Sequence, residues 1–251
     1  MPELPDVELA RRLIEQRALG RKIAAVDDSD TWVSRPHAPG EIAGALTGAT
    51  LTEAHRHGKT MWIETDRGPV LGLHLGMTGG IRVDEEPDTR GWDRFALEFE
   101  DGGRMALRDM RRLGRAVLDP DLSRLGPDAE VVGREEFRER VGRGTSPIKA
   151  RLMDQGVIAG VGNLMADEIL WQARIHPLTP AGELTEGQLD ELRRAMRAVV
   201  RHSIERGHAG AGDINPHRVP GGICPRCGAV LEHGRVGGRT TYWCPRDQPA
   251  P

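Results

Sequence analysis

Cysteine is scarce in this chain of 251 residues, and three thiols cannot make a disulfide framework. The expected setting is therefore reducing and cytoplasmic. Long apolar runs are missing too. None reaches the ~20 residues that span a bilayer, and no charged-then-apolar leader opens the chain, so membrane and exported classes are set aside. Positive charge is not in excess either. A formal net charge of −3 argues weakly against a nucleic-acid binder, yet a basic face can be balanced by an acidic back. Residues 201–251 carry seven arginines against Glu205, Asp213, Glu232 and Asp247. Lysine occurs only as Lys22, Lys59 and Lys149, which makes each one worth explaining, and aromatics are sparse, with one Tyr and three Phe. What remains, 38% hydrophobic and 29% charged, describes a soluble globular protein of one sizeable domain or two modest ones.

The stretch Met1-Pro2-Glu3-Leu4-Pro5-Asp6-Val7-Glu8 organises the rest. Methionine before proline is normally trimmed, which would expose Pro2 as a secondary amine. An α-amino group titrates near about 8, against about 10.4 for lysine, so much of it is free base at neutral pH. Such an amine condenses with an aldehyde to a cationic iminium, a strong electron sink. Glu3 is beside it, the natural position for an acid or base. The bland alternative is that Pro2 and Pro5 only frame a terminal turn.

Residues 5–19 read as a helix, with Pro5, Asp6 and Glu8 in its first turns, Leu9, Leu13 and Ile14 as its stripe, and Gly20 as its stop. From Ile23 to about Leu118 short apolar runs alternate with turn residues, as in Thr60–Thr65, Val70–His74, Phe95–Phe99, Arg104–Leu107 and Ala116–Leu118. Asp101-Gly102 is a hairpin signal, and 84–91 is a polar loop. This is an α+β pattern, a mostly antiparallel β domain with the first helix packed on it. Beyond Asp119-Pro120 the period becomes helical. Ser146-Pro147 opens a short helix that Gly156 ends, and Asn163 can cap the next, whose stripe is Leu164, Ile169 and Leu170. Thr185 with Gln188 boxes a longer helix that Gly207 closes. Residues 207–222 are a Gly/Pro/His-rich loop.

Three segments carry chemistry. Cys224-Pro225-Arg226-Cys227 and Cys244-Pro245-Arg246-Asp247 are matched turns bracketing a probable hairpin, the spacing of a zinc ribbon with an aspartate in the fourth position. Asp247 or His233 could complete the site, or packing alone could hold the hairpin. Ala159-Gly160-Val161-Gly162-Asn163 is a glycine turn before a helix, a weak signal for phosphate binding. Residues 107–115 form a dense basic segment that reads by itself as a solvated loop. His55, His57 and His74 lack metal spacing.

Together these segments resemble the formamidopyrimidine-DNA glycosylase/endonuclease VIII family of base-excision-repair enzymes, nearly end to end and in order. The carriers are Pro2 to Glu8, His57-Gly58-Lys59, His74-Leu75-Gly76-Met77-Thr78-Gly79, Arg111-Arg112-Leu113-Gly114, Gly160-Val161-Gly162-Asn163 and Gly238-Arg239-Thr240-Thr241-Tyr242-Trp243-Cys244. The resemblance implies an N-terminal antiparallel β-sandwich with flanking helices (1–119), a helix–two-turns–helix domain (120–221) and a zinc-ribbon hairpin (222–251). It implies a bifunctional glycosylase and abasic lyase in which Pro2 attacks C1′ as a Schiff-base nucleophile, with β,δ-elimination following. Glu3 would act as general acid/base and Lys59 at the phosphate near the lesion. Asn163 and Arg239 would grip the backbone, with Lys149 near the lesion pocket. Met77, Arg111 and Leu113 would fill the gap left by the flipped nucleotide. Asp6 and Glu168 would play supporting parts. One Zn2+ would sit on Cys224, Cys227, Cys244 and Asp247. The implied partner is damaged double-stranded DNA, with no membrane, bound by a monomer in the cytoplasm at the nucleoid.

Two positions and one segment depart from the family pattern. Leu113 stands where a phenylalanine wedge is usual, and Asp247 where the fourth cysteine is. The segment before Cys224 is short and lacks the longer loop that covers 8-oxoguanine. Formamidopyrimidines, oxidised pyrimidines, hydantoins and abasic sites therefore compete with 8-oxoguanine as substrate. The altered ribbon and missing loop also admit a non-catalytic lesion- or DNA-binding protein on the same scaffold. An unrelated zinc hydrolase is disfavoured by the lack of a His-Glu metal motif.

Overall fold

A computed structural model describes residues 2–251, and Met1, with the expected trimming that exposes Pro2, lies outside them. The chain forms two compact units, one of Pro2 with residues 7–122, the other of residues 3–6 with 123–251.

In the first unit, helix α1 (Leu4–Arg17, whose first turn belongs to the second unit) leads to β1 (Ile23–Asp27), the short helix α2 (Glu41–Leu46), β2 (Leu51–His57), β3 (Thr60–Thr65), β4 (Leu71–His74), β5 (Gly80–Val83), β6 (Asp93–Phe99), β7 (Arg104–Arg108) and β8 (Arg115–Leu118). Two four-stranded antiparallel sheets result, ordered β1-β6-β7-β5 and β2-β3-β4-β8. Strand β3 shows why they pair face to face: Met61, Ile63 and Thr65 are buried while the residues between them are not. Both sheets feed one core, with Leu97, Phe99 and Met105 from the first and Ile63, Leu71 and Leu73 from the second. The Asp101-Gly102 hairpin forms as expected, with Glu98 opposite Arg104 and Gly102 at φ 86°.

Helix α1 differs from its expected stripe. Its buried apolar residues here are Val7, Ala10 and Ile14, followed by Ala18 just past its end, while Leu9 and Leu13 are half-buried. Small alanines let the helix approach closely, so the face that packs is not the one bearing the largest side chains.

The second unit contains α3 (Arg134–Val141), α4 (Ile148–Met153), α5 (Asn163–Gln172) and α6 (Glu186–Arg206), then the hairpin β9 (Glu232–Val236) and β10 (Arg239–Trp243). Its core joins Phe137, Val141, Ile148, Leu152, Ile169, Leu192 and Val200. Helix α3 escapes a periodicity reading because Phe137 and Val141 are its only buried apolar residues in a run of charge. The capping box of α6 forms, with Gly207 left-handed at φ 89°. Two other expected ends move. Helix α4 starts after Pro147 without a side-chain cap and stops at Met153, three residues before Gly156. Asn163 is the first residue of α5 and not its cap. Among the described residues no helix is long and apolar enough to cross a membrane.

Candidate nucleic-acid and catalytic site

The N-terminus of α5 is capped from 159 to 162 residues away in sequence. Glu3 is fully buried, and its carboxylate accepts N–H bonds from Gly162 (2.8 Å), Leu164 (2.8 Å) and Met165 (3.1 Å). An anion is what the unpaired amides and dipole of a helix start attract. The glycine turn, expected to suit a phosphate, is shaped by this side chain. A Cβ on Gly162 would lie 2.4 Å from Glu3 Cδ, and one on Gly160 would lie 2.5 Å from Leu4 Cδ1. The Leu4 amide donates to the Gly160 carbonyl at 3.1 Å. Asp6 completes the clamp, accepting from the Glu3 amide (2.8 Å) and from Ala209 (3.1 Å). Pro2, half-buried, is joined to Glu3 by one peptide bond.

Asn163 turns its side chain to Lys149, whose Nζ donates to Asn163 Oδ1 at 2.7 Å and to Thr241 Oγ1 at 2.7 Å and pairs with Asp167 at 2.6 Å. Lys149, expected to meet DNA near the lesion pocket, has no exposed surface. It lies beneath Asn163, to whose Oδ1 it donates. Burial pulls the Lys149 pKa down and pushes that of Asp167 up, while their mutual attraction opposes both shifts. Arg239 begins β10 and is exposed, immediately after Gly237-Gly238, whose positive φ values of 55° and 75° make a tight two-residue turn. Glu168 is buried, which raises its pKa, and it accepts from the Ile214 amide (2.9 Å) and Gln172 (2.9 Å), fastening the 207–222 loop.

In the first unit, Lys59 sits on the two-residue turn between β2 and β3, beside Gly58 at φ 58°. Burial first, and the Lys59 charge second, hold His74 below its ordinary pKa. Its Nδ1 accepts from the Gly76 amide at 3.0 Å. The basic segment at 107–115 is more than a solvated loop. Asp109, fully buried, accepts from Thr78 Oγ1 (2.6 Å) and from the amides of Arg111 (3.0 Å), Leu113 (2.7 Å) and Gly114 (2.7 Å). These bonds outweigh the upward pull of burial and keep its pKa below the usual range. The loop so fixed presents Met77 (40% exposed), Leu113 (37%) and Arg111 to solvent. Exposed apolar tips on a rigid turn can wedge between bases. Met110, at 53%, joins them and went unnoticed in the sequence. Asp109 was also missed, although a lone acid inside a basic run was the available signal.

The ribbon brings Cys224, Cys227, Cys244 and Asp247 together, their ligand atoms within 4.8 Å of one another. The Cys227 and Cys244 sulfurs are 3.3 Å apart, and Cys224 Sγ lies 3.8 Å from Asp247 Oδ2. Tetrahedral zinc with bonds of about 2.3 Å to sulfur brings its donors to a spacing of this order. Outer partners are present as well. Trp171 Nε1 donates to Cys224 Sγ (3.3 Å), and Arg226, stacked on Trp171, holds Asp247 at 3.3 Å. The residues fit one zinc with an aspartate ligand. His233 stacks on Tyr242 at 5.5 Å and lies outside the cluster.

Comparisons with known proteins agree along the whole chain. Residues 1–116 match the formamidopyrimidine-DNA glycosylase N-terminal domain, 125–214 the formamidopyrimidine-DNA glycosylase H2TH domain, and 223–250 the zinc finger found in FPG and IleRS. The chain is 36% identical to the formamidopyrimidine-DNA glycosylase of Nocardioides sp., covering 100% of this chain and 95% of the relative. Its structure is similar to a Lactococcus lactis Fpg complex with abasic-site DNA (TM-score 0.88, 29% identity, 99% of this chain and 100% of that one). The Lactococcus lactis complex with oxidised-pyrimidine DNA matches with the same TM-score, identity and coverage.

Proposed function

The chain belongs to the formamidopyrimidine-DNA glycosylase family, and on that premise we propose that it is a DNA glycosylase and abasic-site lyase of base excision repair, using Pro2 as nucleophile. The carrying observation is the Glu3 carboxylate, fixed by three backbone amides one residue from Pro2. A terminal amine at Pro2 forms a bond to C1′ of the damaged nucleotide. The glycosidic bond breaks and the base leaves, taking a proton. Ring opening at O4′, assisted by Glu3, gives the iminium. Its positive charge acidifies C2′–H. Loss of that proton expels the 3′ phosphate, and a second elimination across C4′ and C5′ expels the 5′ phosphate. A carboxylate held by rigid donors needs no reorganisation as charge develops.

Around this centre, Lys59 holds the phosphate nearest the lesion, and Asn163 and Arg239 grip the backbone, with Lys149, Asp6 and Glu168 supporting them. Met77, Arg111 and Leu113 fill the vacated stack. Bound zinc supplies a structural crosslink that fixes the ribbon carrying Arg239. The three working parts are 1–119, 120–221 and 222–251, acting on duplex DNA at the nucleoid.

The loop at 207–222 bears on the lesion. It is fastened at Ala209 by Asp6, at Ile214 by Glu168 and at Arg218 by Asp167 (2.8 Å). A short segment tied at three points has little freedom to fold over an oxidised purine, which favours ring-opened purines, oxidised pyrimidines and abasic sites.

Borohydride reduction during reaction with abasic-site duplex is the test. The processed protein should be trapped covalently on DNA, and Pro2→Gly, whose terminal amine is primary, much less so. No adduct, or one undiminished in the variant, overturns the assignment.

A further inference from the structure

We infer that Asp167 is a positioning residue that makes Asn163 and the Arg239 hairpin into one grip, a role resting on the backbone contacts proposed above. No sequence motif singled it out. Its side chain is fully buried on α5, one turn after Asn163. Oδ1 lies 2.6 Å from Lys149 Nζ, while Oδ2 accepts from Arg218 Nε (2.8 Å) and from the Tyr242 amide of β10 (3.1 Å). One carboxylate thus ties together α4, α5, the 207–222 loop and the strand that begins with Arg239.

The chemistry of Lys149 converts this tie into a direction. An ammonium has three donors and no acceptor. Its three closest partners are Asp167, Asn163 Oδ1 and Thr241 Oγ1, with the Thr240 carbonyl at 3.4 Å. A pure donor can face only the oxygen end of an asparagine amide. Asn163 is therefore locked with Oδ1 inward, and the end left for a ligand is Nδ2, which only donates. Phosphate oxygens only accept. Without Asp167 the ammonium would be a buried cation lacking its counter-charge, which is strongly unfavourable, and the lock on the amide would go with it. Arg218 reinforces the arrangement by donating to the Thr240 carbonyl (3.3 Å). Three consecutive residues of β10, Thr240 to Tyr242, are in this way pinned directly after Arg239.

The test is a double-mutant cycle on zinc-loaded full-length protein, reading the Kd for a duplex with a tetrahydrofuran abasic analogue. Asn163→Ala in the wild-type background should weaken binding about tenfold, the worth of a hydrogen bond to a charged group. In the Asp167→Asn background the same substitution should change Kd less than about twofold, because the amide is no longer aimed. Equal factors in both backgrounds overturn the inference, since a residue that merely stabilises the fold gives additive effects. If Asn163→Ala has no effect even in the wild-type background, the backbone-grip reading fails instead. Zinc content and far-ultraviolet circular dichroism verify folding. Should Asp167→Asn lose zinc, Lys149→Met, which removes the donor through which Asp167 acts on Asn163, carries the same cycle; there too, additivity overturns the inference.

Discussion

Glu3 and Glu8 are both buried acids near the chain's start, and their surroundings set them different tasks. Glu3 is held by the backbone amides of Gly162, Leu164 and Met165. Glu8 faces three guanidiniums: Arg11 (3.0 Å) and Arg12 (2.8 Å) on its own helix, and Arg56 (3.2 Å) on β2. Burial alone would raise the Glu8 pKa, but hydrogen bonds from Arg11 and Arg12, with the Arg11 and Arg56 charges, bring it down to about 2. A carboxylate depressed on folding contributes stability above its unfolded pKa and loses it as pH falls through the folded value. Glu8→Gln should therefore lower stability by about 1–2 kcal/mol at neutral pH, after allowance for solvent screening. That corresponds to roughly 2–8 °C in Tm. The gap between variant and parent should close from about pH 4.5 towards pH 2, as thermal melts across pH would reveal; a gap constant with pH contradicts the assignment. Gly162→Ala probes Glu3 without replacing it. The added Cβ would lie 2.4 Å from Glu3 Cδ and push the carboxylate off its three amides. Single-turnover base release should fall about a hundredfold, with DNA affinity held within a few-fold. Retained turnover would show that this carboxylate position is dispensable. Pro2 and Glu3 were legible in sequence because neighbouring residues form a recognisable string. Asp167 was not, because its partners Arg218 and Tyr242 are distant in sequence, and Asp109 showed only as a lone acid in a basic run, since most of its partners are backbone amides that carry no residue signature.

At the scale of elements, strands and long helices were read well where pattern alone decides. Strand β3 shows strict alternation and α6 carries a full capping box. The start of α5 was misread for a physical reason. Asn163 is a good cap by residue type, yet a carboxylate from the chain's beginning already satisfies the same amides. Local propensity yields to a better acceptor delivered by the fold. The ribbon was legible from spacing, and its geometry settles the fourth corner for Asp247. A carboxylate is a harder donor than thiolate, so this site should hold zinc less tightly than a four-cysteine ribbon. Elemental analysis should find about one zinc per chain. In chelator competition, Asp247→Cys should tighten zinc at least tenfold and Asp247→Ala should weaken it; unchanged affinity in both would exclude Asp247 as a ligand.

For the whole molecule, the preferred lesion tests how the parts combine. Glycosylase assays on matched duplexes should rank formamidopyrimidine, oxidised pyrimidine and abasic sites above 8-oxoguanine, as the tethered 207–222 loop leads one to expect. A preference for 8-oxoguanine would show that another segment covers the base. The capping of α5 by Glu3 has one more consequence, and it concerns synthesis. Residues 3–6 are made before their partners at Gly162, Leu164 and Met165, which follow about 160 residues later. At about 5–20 residues per second, the nascent N-terminus waits on the order of ten to thirty seconds for its docking place. A chain stalled before Gly162 therefore carries Glu3 without the amides that hold its carboxylate. On the proposed reading, a half-made copy would lack the arrangement that the reaction needs.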